Sequence, residues 1–153
     1  MELLDATPRL ADLGVGDFDA LMIAGGLSPI WTFRDDEPLQ QKIVEFYEAE
    51  KPVAVYCHGT AALVDVQLSD GSHPVEGETV TGFANVEEEY CDAFVGQKAM
   101  PWRVEDAFEE RGANHVQGGL FKAFVARDGR LITGQQQYSS REVADALIEM
   151  LGV

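Results

Sequence analysis

A cysteine and a histidine stand side by side where an apolar run ends, at Cys57 and His58. The run before them, residues 52–56 (PVAVY), predicts a buried strand, and Gly59 and Thr60 follow as a turn. A strand that turns sharply into a helix forms a nucleophile elbow, which holds the first turn residue out over the edge of the sheet. The amides that open such a helix stabilise a thiolate and a developing oxyanion, and His58 is placed to serve as base. The pattern predicts a cysteine nucleophile, against the plainer interpretation of a buried cysteine beside a loop histidine.

The remaining residues with nucleophilic or metal-binding side chains are scattered along the chain. Cys91, His73 and His115 lie outside the elbow, and their contexts indicate packing or turn positions. The sequence has no paired cysteine motif, no HExxH helix and no phosphate-binding glycine loop. We therefore expect no metal and no cofactor, and we expect both cysteines to be free thiols. The acidic run at residues 87–89, taken alone, indicates a solvated turn in a chain with 27 acidic residues.

Apolar runs alternate with helical periodicity along the chain, which predicts an α/β layered sheet around the elbow. Strands are predicted at residues 18–24, 52–56, 79–83, 121–126 and 130–133, the last two joined by a hairpin turn at Asp128-Gly129. Helices are predicted at residues 36–50, 61–66, 101–111 and 141–151, with a short acidic turn or helix at 86–90. Gly112 ends the helix that follows Pro101, and Ser139-Ser140 cap the last helix. The predicted inward positions of that helix are Val143, Ala144, Leu147, Ile148 and Leu151.

The charge of the chain excludes several classes of partner. Eleven basic residues stand against 27 acidic ones, which gives a formal net charge of −16. Recognition of phosphates needs a basic face, so we expect neither nucleic acid nor an anionic membrane surface as a partner. No apolar run reaches the length of a membrane span, and we expect a cytoplasmic protein. An acidic, lysine-poor composition suits a high-salt cytosol, and it fits an acidic mesophilic protein equally well.

Five sequence blocks, in the same order, resemble the ThiJ/PfpI superfamily. They are FDALMIAGG, KPVAVYCHGTAALVDV, GETVTGFANVEEE, PWRVEDAFEERGA and RLITGQQQYSSREVADALIEML. The superfamily includes intracellular proteases and amidases and chaperone-type glyoxalase III enzymes, and class I glutamine amidotransferase domains are more distantly similar. The resemblance covers about residues 17–151 and implies a flavodoxin-like three-layer sandwich with a mostly parallel sheet. We expect a single domain over residues 1–153.

The resemblance also implies the rest of a catalytic site. In the chaperone-type branch an acidic residue after the TGF motif completes a Cys-His-acid triad, and Glu88 stands at that position, with Glu87 and Glu89 as less favoured neighbours. A carboxylate on the second imidazole nitrogen fixes the tautomer of the histidine and stabilises imidazolium. The family's oxyanion loop and pocket correspond here to Gly25, Gly26, Leu27 and Gly59, with the amides of Leu27 and His58 as oxyanion donors.

The chain departs from the family pattern at its beginning and around the pocket. Family members open with a strand, a helix and another strand that carry a glutamate beside the cysteine, and that opening has no counterpart before Phe18; Glu2 is the one glutamate there that could be tried. Leu27 stands where the family has a histidine, and a glutamine pair with Tyr138 replaces the proline turn near the end. The shortened sheet implies an open edge, so we expect a homodimer or higher homo-oligomer that strengthens as salt rises.

Two classes of function follow from these observations. The first is a cysteine-dependent enzyme that acts on a small carbonyl or amide compound through Cys57, His58 and Glu88, either glyoxalase III-like or amidase-like. We prefer a small-molecule substrate, because one small domain has little surface for a peptide groove. The alternative is a non-catalytic redox-sensing or chaperone-like family member, or an N-terminally truncated fragment.

Overall fold

Four strands form the central sheet in the computed structural model, which describes residues 6–153. The strands are β1 (Leu21–Ile23), β2 (Val53–Tyr56), β5 (Val125–Asp128) and β6 (Leu131–Gly134), and their spatial order is β1-β2-β6-β5. β1, β2 and β6 are parallel, whereas β5 returns antiparallel to β6 through the predicted hairpin. Two shorter strands, β3 (Thr79–Val80) and β4 (Asn114–His115), pair in parallel apart from this sheet.

Helices cover both faces of the sheet. They are α1 (Pro29–Thr32), α2 (Glu37–Glu48), α3 (Asn85–Val95), α4 (Val104–Glu110) and α5 (Ser140–Leu151), and short 3-10 turns occupy Leu10–Asp12, Val15–Asp17, Cys57–Leu63 and Gln137–Ser139. The side chains of β2 alternate between two cores, as period-2 geometry requires. Val53 and Val55 pack with Ile43 and Phe46 of α2, while Ala54 packs with α5. The mostly parallel sheet between two helical layers confirms the predicted flavodoxin-like sandwich.

Several predicted elements differ from the observed ones: two strands are shorter than predicted, and one helix is a 3-10 turn. The strand predicted at residues 18–24 is only Leu21–Ile23, and the one at 79–83 is only Thr79–Val80. The observed strand ends at Val80, and the backbone N–H of Thr81, the next residue, donates to the side-chain hydroxyl of Thr133 in β6, 2.9 Å away. The helix predicted at residues 61–66 is a 3-10 turn over Cys57–Leu63, so the turn begins at the cysteine itself.

Two acidic helices differ from their predicted limits. The acidic segment predicted at residues 86–90 is the longer helix α3, which ends at Gly96 in the left-handed conformation, with φ of 79°. Helix α4 begins at Val104 rather than at Pro101, and Gly112 follows its end with φ of 77°, as its predicted role as a stop requires.

The last helix begins at Ser140, and its buried stripe is rotated from the predicted one. Val143 and Leu147 are buried, but Ile148 is 49% exposed and Leu151 is 36% exposed. Ala146 and Met150 pack against the sheet instead, because the inward face follows the i, i+3, i+4, i+7 series from Val143. The Ser139 hydroxyl does not cap this helix, since it accepts hydrogen bonds from the backbone amides of Phe124 and Gln136.

Three expectations concern Glu2, the edges of the sheet and membrane-spanning helices. Glu2 lies outside the described residues. Within residues 6–153, β1 ends the strand order on one side of the sheet and β5 ends it on the other. No helix in this part of the chain is long and apolar enough to cross a membrane.

Candidate active site

Cys57 occupies a strained position immediately after β2. Its φ angle is 58°, in the left-handed region that non-glycine residues seldom adopt, and such strain concentrates at functional sites. The backbone carbonyl of Cys57 accepts a 2.6 Å hydrogen bond from the Thr60 hydroxyl, which stabilises the tight turn that follows. The sharp change from extended strand to 3-10 turn is the local geometry of a nucleophile elbow.

Two glycines allow the loop after β1 to contact this elbow closely. A Cβ atom on Gly25 would lie 2.6 Å from both the Cβ of Cys57 and the backbone oxygen of Tyr56. A Cβ atom on Gly59 would lie 2.9 Å from the backbone oxygen of Ala24. Both distances are shorter than van der Waals contact permits, so the approach of the two segments requires glycine at each position.

The structure brings His58 between Cys57 and Glu88. Its Nδ1 atom lies 3.8 Å from the sulfur of Cys57, and its Nε2 atom lies 2.9 Å from Oε1 of Glu88. His58 and Glu88 are fully buried. The ring of Phe83 stacks on the imidazole, with centroids 4.1 Å apart and an angle of 18° between the planes. The imidazole is therefore held by one hydrogen-bonded carboxylate and one aromatic face.

The environment of His58 favours its protonated form. Burial alone lowers the pKa of this imidazole, but hydrogen bonds and charge interactions with Cys57 and Glu88 outweigh burial and raise the pKa to about 9. An imidazolium beside the sulfur stabilises negative charge on it, which is the form in which a cysteine is nucleophilic. The geometry is suited to a thiolate–imidazolium pair.

The three consecutive glutamates point in different directions. Glu88 contacts His58, whereas the side chain of Glu89 is exposed. Glu87 is buried, and it accepts hydrogen bonds from Gln135 Nε2 at 2.8 Å, from the Phe121 amide at 2.9 Å and from the Ala84 amide at 3.3 Å. Burial raises the pKa of Glu87, and these hydrogen bonds act against the rise. Helical rotation of about 100° per residue separates the roles of neighbours, so the solvated-turn interpretation holds for Glu89 alone.

A pocket of about 560 Å³ opens above the cysteine. Its walls are mainly apolar, and the lining residues are Gly25, Gly26, Leu27, Tyr56, Cys57, His58, Phe83, Cys91, Phe121, Gln137 and Ser140. Gly59, which we expected at the pocket, packs instead against the backbone of Ala24 and Gly25. Leu27 is 63% exposed at the rim.

Of the other candidate residues, Cys91 lies at the pocket, whereas His73 and His115 make contacts elsewhere. Cys91, which the sequence indicated as packing, lines the same pocket as Cys57, and both thiols are free. His73 is bound to a backbone oxygen, with Nδ1 2.7 Å from the carbonyl of Val66, and His115 packs against Phe108. Among residues 6–153 no three acidic, histidine or cysteine side chains form a group able to hold a metal ion.

Sequence reasoning missed three residues near the triad. Phe83 is the last residue of the TGF motif, which served only to find the acid, and Gln135, which donates to Glu87, precedes the glutamine pair that departs from the family pattern. Arg103 lies behind Glu88, with Nη1 3.8 Å from Oε2, and its Nη2 is 2.6 Å from Oδ2 of Asp92. The sequence holds no local signal for Arg103, because its site partners lie on another helix.

The chain is similar to several known proteins. The chain is 27% identical over 143 residues to a probable glutathione-independent glyoxalase of Schizosaccharomyces pombe, hsp3104, covering 92% of this chain and 64% of that protein. It is 34% identical over 89 residues to the putative cysteine protease YraA of Bacillus subtilis, covering 58% of this chain and 48% of that protein. The Rapid Encystment Protein of 24 kDa from Francisella tularensis superposes with a TM-score of 0.86 at 28% identity, covering 93% of this chain and 62% of that structure.

The chain therefore spans about half to two thirds of the length of these relatives. A family model matches residues 3–150, a range that includes the elbow, the glycine loop and the acidic helix. On this match, the chain belongs to the DJ-1/PfpI family.

Proposed function

We propose that Cys57, His58 and Glu88 form the catalytic triad of a glutathione-independent glyoxalase that converts a small 2-oxoaldehyde into a 2-hydroxy acid. The observation that carries the proposal is the position of the Cys57 sulfur at a strained elbow, 3.8 Å from an imidazole that is itself bonded to a buried carboxylate. Proteins similar to this chain bear glyoxalase and cysteine protease names, and these two activities share one step, the addition of a thiolate to a carbonyl carbon.

The reaction needs no external oxidant or reductant. The thiolate of Cys57 adds to the aldehyde carbon, and the protonated His58 supplies the proton that neutralises the oxyanion, giving a hemithioacetal. Neutral His58 then removes the hydrogen of that carbon as a proton, and the resulting enediolate is reprotonated on the neighbouring carbon. The product is a thioester of a 2-hydroxy acid. Water, from which neutral His58 takes a proton, hydrolyses the thioester to release the acid and to restore the thiolate and the protonated imidazole. The aldehyde carbon is oxidised as the ketone carbon is reduced.

Two backbone amides are assigned to the developing oxyanion. The amide of His58 belongs to the turn that begins at Cys57, and the amide of Leu27 follows the glycine pair that packs against the elbow. The two segments pack against each other at the elbow, and amide donors from both would provide the preorganised charge stabilisation that acyl and aldehyde chemistry requires.

The pocket supports a small, uncharged substrate. Of the residues that line it, His58 is the one that carries positive charge, and no lysine or arginine of residues 6–153 is among them. A glutathione adduct, with its carboxylates, would therefore find no countercharge there, and the net charge of −16 adds repulsion. A volume of about 560 Å³ accepts a compact aldehyde with room for water.

His58 is the proton-transfer group of this proposal. No carboxylate of residues 6–153 lines the pocket, and Glu88 is screened from it behind the imidazole. One imidazole therefore serves as acid in the addition and as base in the proton abstraction, with Glu88 orienting it throughout.

The test is turnover of methylglyoxal without glutathione, followed as loss of the 2-oxoaldehyde and appearance of lactate. The wild-type chain is expected to form lactate, Cys57→Ala to reduce formation to the uncatalysed rate, and Cys91→Ser to retain most of it. An inactive wild-type chain, or an active Cys57→Ala variant, would refute the proposal. Hydrolysis of a chromogenic peptide amide without methylglyoxal turnover would assign the same thiolate to amidase chemistry.

A redox-sensing role is the second candidate, because two free thiols line one pocket. A hydroperoxide would oxidise the Cys57 thiolate to a sulfenic acid and itself be reduced to an alcohol or water, and the Cys91 thiol would displace water to form a disulfide. Mass spectrometry after mild peroxide treatment, with methylglyoxal turnover measured on the same sample, distinguishes the roles. Oxidation at Cys57 in a chain without turnover supports the sensor.

A further inference from the structure

Two buried atoms without hydrogen-bond partners face each other behind the imidazole. Oε2 of Glu88 and Nη1 of Arg103 each lack a partner among the described residues, and they lie 3.8 Å apart. One is an acceptor and the other is a donor, and the separation exceeds hydrogen-bond length by less than 1 Å. Because a buried polar atom without a partner is costly, a matched pair at this distance indicates a contact that closes with a small movement.

Among the charged groups near Glu88, Arg103 differs from the others because it carries a permanent positive charge. Helix α3 contributes further acidic groups close by, with Glu87 preceding Glu88 and Asp92 one turn after it. Cys91 lies on the same helix, and the elbow contributes Cys57 and His58. Arg103, in the segment before α4, is the permanently charged cation within 4 Å of the Glu88 carboxylate among residues 6–153.

The guanidinium is anchored so that it faces Glu88. Its Nη2 is 2.6 Å from Oδ2 of Asp92, whose other oxygen accepts a 2.7 Å hydrogen bond from the Ala99 amide. Glu88 and Asp92 are four residues apart on α3 and therefore share a face of the helix. A planar fork can contact both carboxylates at once, whereas the single ammonium of a lysine cannot be held in the same way.

We infer that Arg103 is a positioning residue, which clamps the Glu88 carboxylate so that Oε1 is presented to His58 while Oε2 is turned toward the guanidinium. The inference rests on the proposed triad, and it adds a member that acts through Glu88 without touching substrate. With Arg103 and its anchor Asp92, the site extends from three side chains to a series of five neighbouring groups, which runs from the Cys57 sulfur through His58, Glu88 and Arg103 to Asp92.

The experiment compares Arg103→Met and Arg103→Lys by proton NMR of the histidine ring and by kinetics. The imidazole proton on Nε2, hydrogen-bonded to a carboxylate, gives a downfield resonance, and Glu88→Gln identifies it by its loss. Arg103→Met is expected to broaden or shift this resonance and to lower kcat about tenfold with little change in KM. Arg103→Lys is expected to retain the charge and recover part of both. Arg111→Met is the control, because Arg111 follows the end of α4 and pairs with Asp65 instead of with Glu88.

An unchanged Nε2 proton in a folded Arg103→Met protein would overturn the inference, and so would loss of the same signal in Arg111→Met. If Arg103→Met does not fold, Asp92→Asn replaces it, because that variant retains Arg103 and weakens its anchor. A displaced resonance in Asp92→Asn supports the clamp, and an unchanged one contradicts it. The resonance is observed without substrate, so an inactive wild-type chain would refute the proposed function and leave this test intact.

Discussion

The Nε2 atom of His58 lies 2.9 Å from Oε1 of Glu88, although the two residues are 30 positions apart and belong to different elements. Both side chains are fully buried, and Phe83 covers one face of the imidazole. A buried ion pair is retained only where its geometry is good, and breaking one partner leaves an uncompensated charge. This contact therefore links the folding of α3 to the charge state of the group beside the Cys57 sulfur.

The protonation of His58 should be visible as a titration well above the ordinary histidine range. Burial opposes the charge, but contacts with Cys57 and Glu88 raise the pKa to about 9, and NMR titration of the imidazole should give a midpoint there. Glu88→Gln removes one of the groups that raise the pKa, so the midpoint should fall in that variant. A midpoint near 6.5 in the wild-type chain would contradict the thiolate–imidazolium pair.

The same shift has a consequence for stability. The folded pKa of about 9 lies above the unfolded value of 6.5, so the folded state binds this proton more tightly. The stabilisation is fully present below about pH 6.5 and is lost as the pH rises through about 9, by at most about 3 kcal/mol. Urea unfolding across this range should show the decline in wild type and a shallower decline in Glu88→Gln. Equal slopes in the two proteins would contradict the role of Glu88.

Replacement of Glu87 and replacement of Glu88 by glutamine should change different properties: the stability of the fold for Glu87 and the pKa of His58 for Glu88. Glu87→Gln disturbs hydrogen bonds to the Phe121 and Ala84 amides and to Gln135, and we expect a loss of about 1–3 kcal/mol in the free energy of unfolding. The His58 titration should stay nearly unchanged in that variant. Glu88→Gln should lower the His58 midpoint, and the exposed Glu89→Gln should alter neither quantity. A lowered midpoint in Glu87→Gln alone would reassign the triad acid.

The close contact between the glycine loop and the elbow makes Gly25 sensitive to a single methyl group. Gly25→Ala places a Cβ 2.6 Å from the Cβ of Cys57, so the cysteine must move. We expect a loss of about 1–3 kcal/mol of stability, together with reduced turnover. Gly16→Ala is the matched control, because no atom lies within 4 Å of its added Cβ, and its stability should stay within about 1 kcal/mol of wild type. Equal effects at the two glycines would contradict the packed elbow.

The elbow itself could be predicted because its signals are local. A buried strand, a cysteine and a glycine turn occur within eight residues, and β2 and Cys57 lie where the pattern places them. The hairpin of β5 and β6 was predictable for the same reason, although its two-residue turn is Gly129-Arg130 and not Asp128-Gly129, because Asp128 pairs with Leu131 as the last residue of β5. The 3-10 form of the turn was not, because short helices are decided by the strain at Cys57 and by the Thr60 hydrogen bond rather than by composition.

The rest of the site depends on contacts between distant segments. The resemblance to a family favoured Glu88 over Glu87 and Glu89, whereas residue types alone favoured a solvated turn for all three. Phe83 and Arg103 escaped notice because their roles arise from packing between elements. The rotated face of α5 shows the same limit, since Ile148 and Met150 are both apolar and the choice between them depends on how the helix meets the sheet. The single domain, the cytoplasmic location and the homo-oligomer stay predictions.

The role of Cys57 as nucleophile is tested most directly by the alkylation rates of the two cysteines with iodoacetamide at about pH 6, measured by peptide mass spectrometry. Cys57 is 5% exposed and Cys91 is only partly buried, so accessibility alone favours reaction at Cys91. A thiolate held by His58 predicts much faster reaction at Cys57, and His58→Gln should remove the difference. Equal rates at the two cysteines, or faster reaction at Cys91, would contradict an activated Cys57.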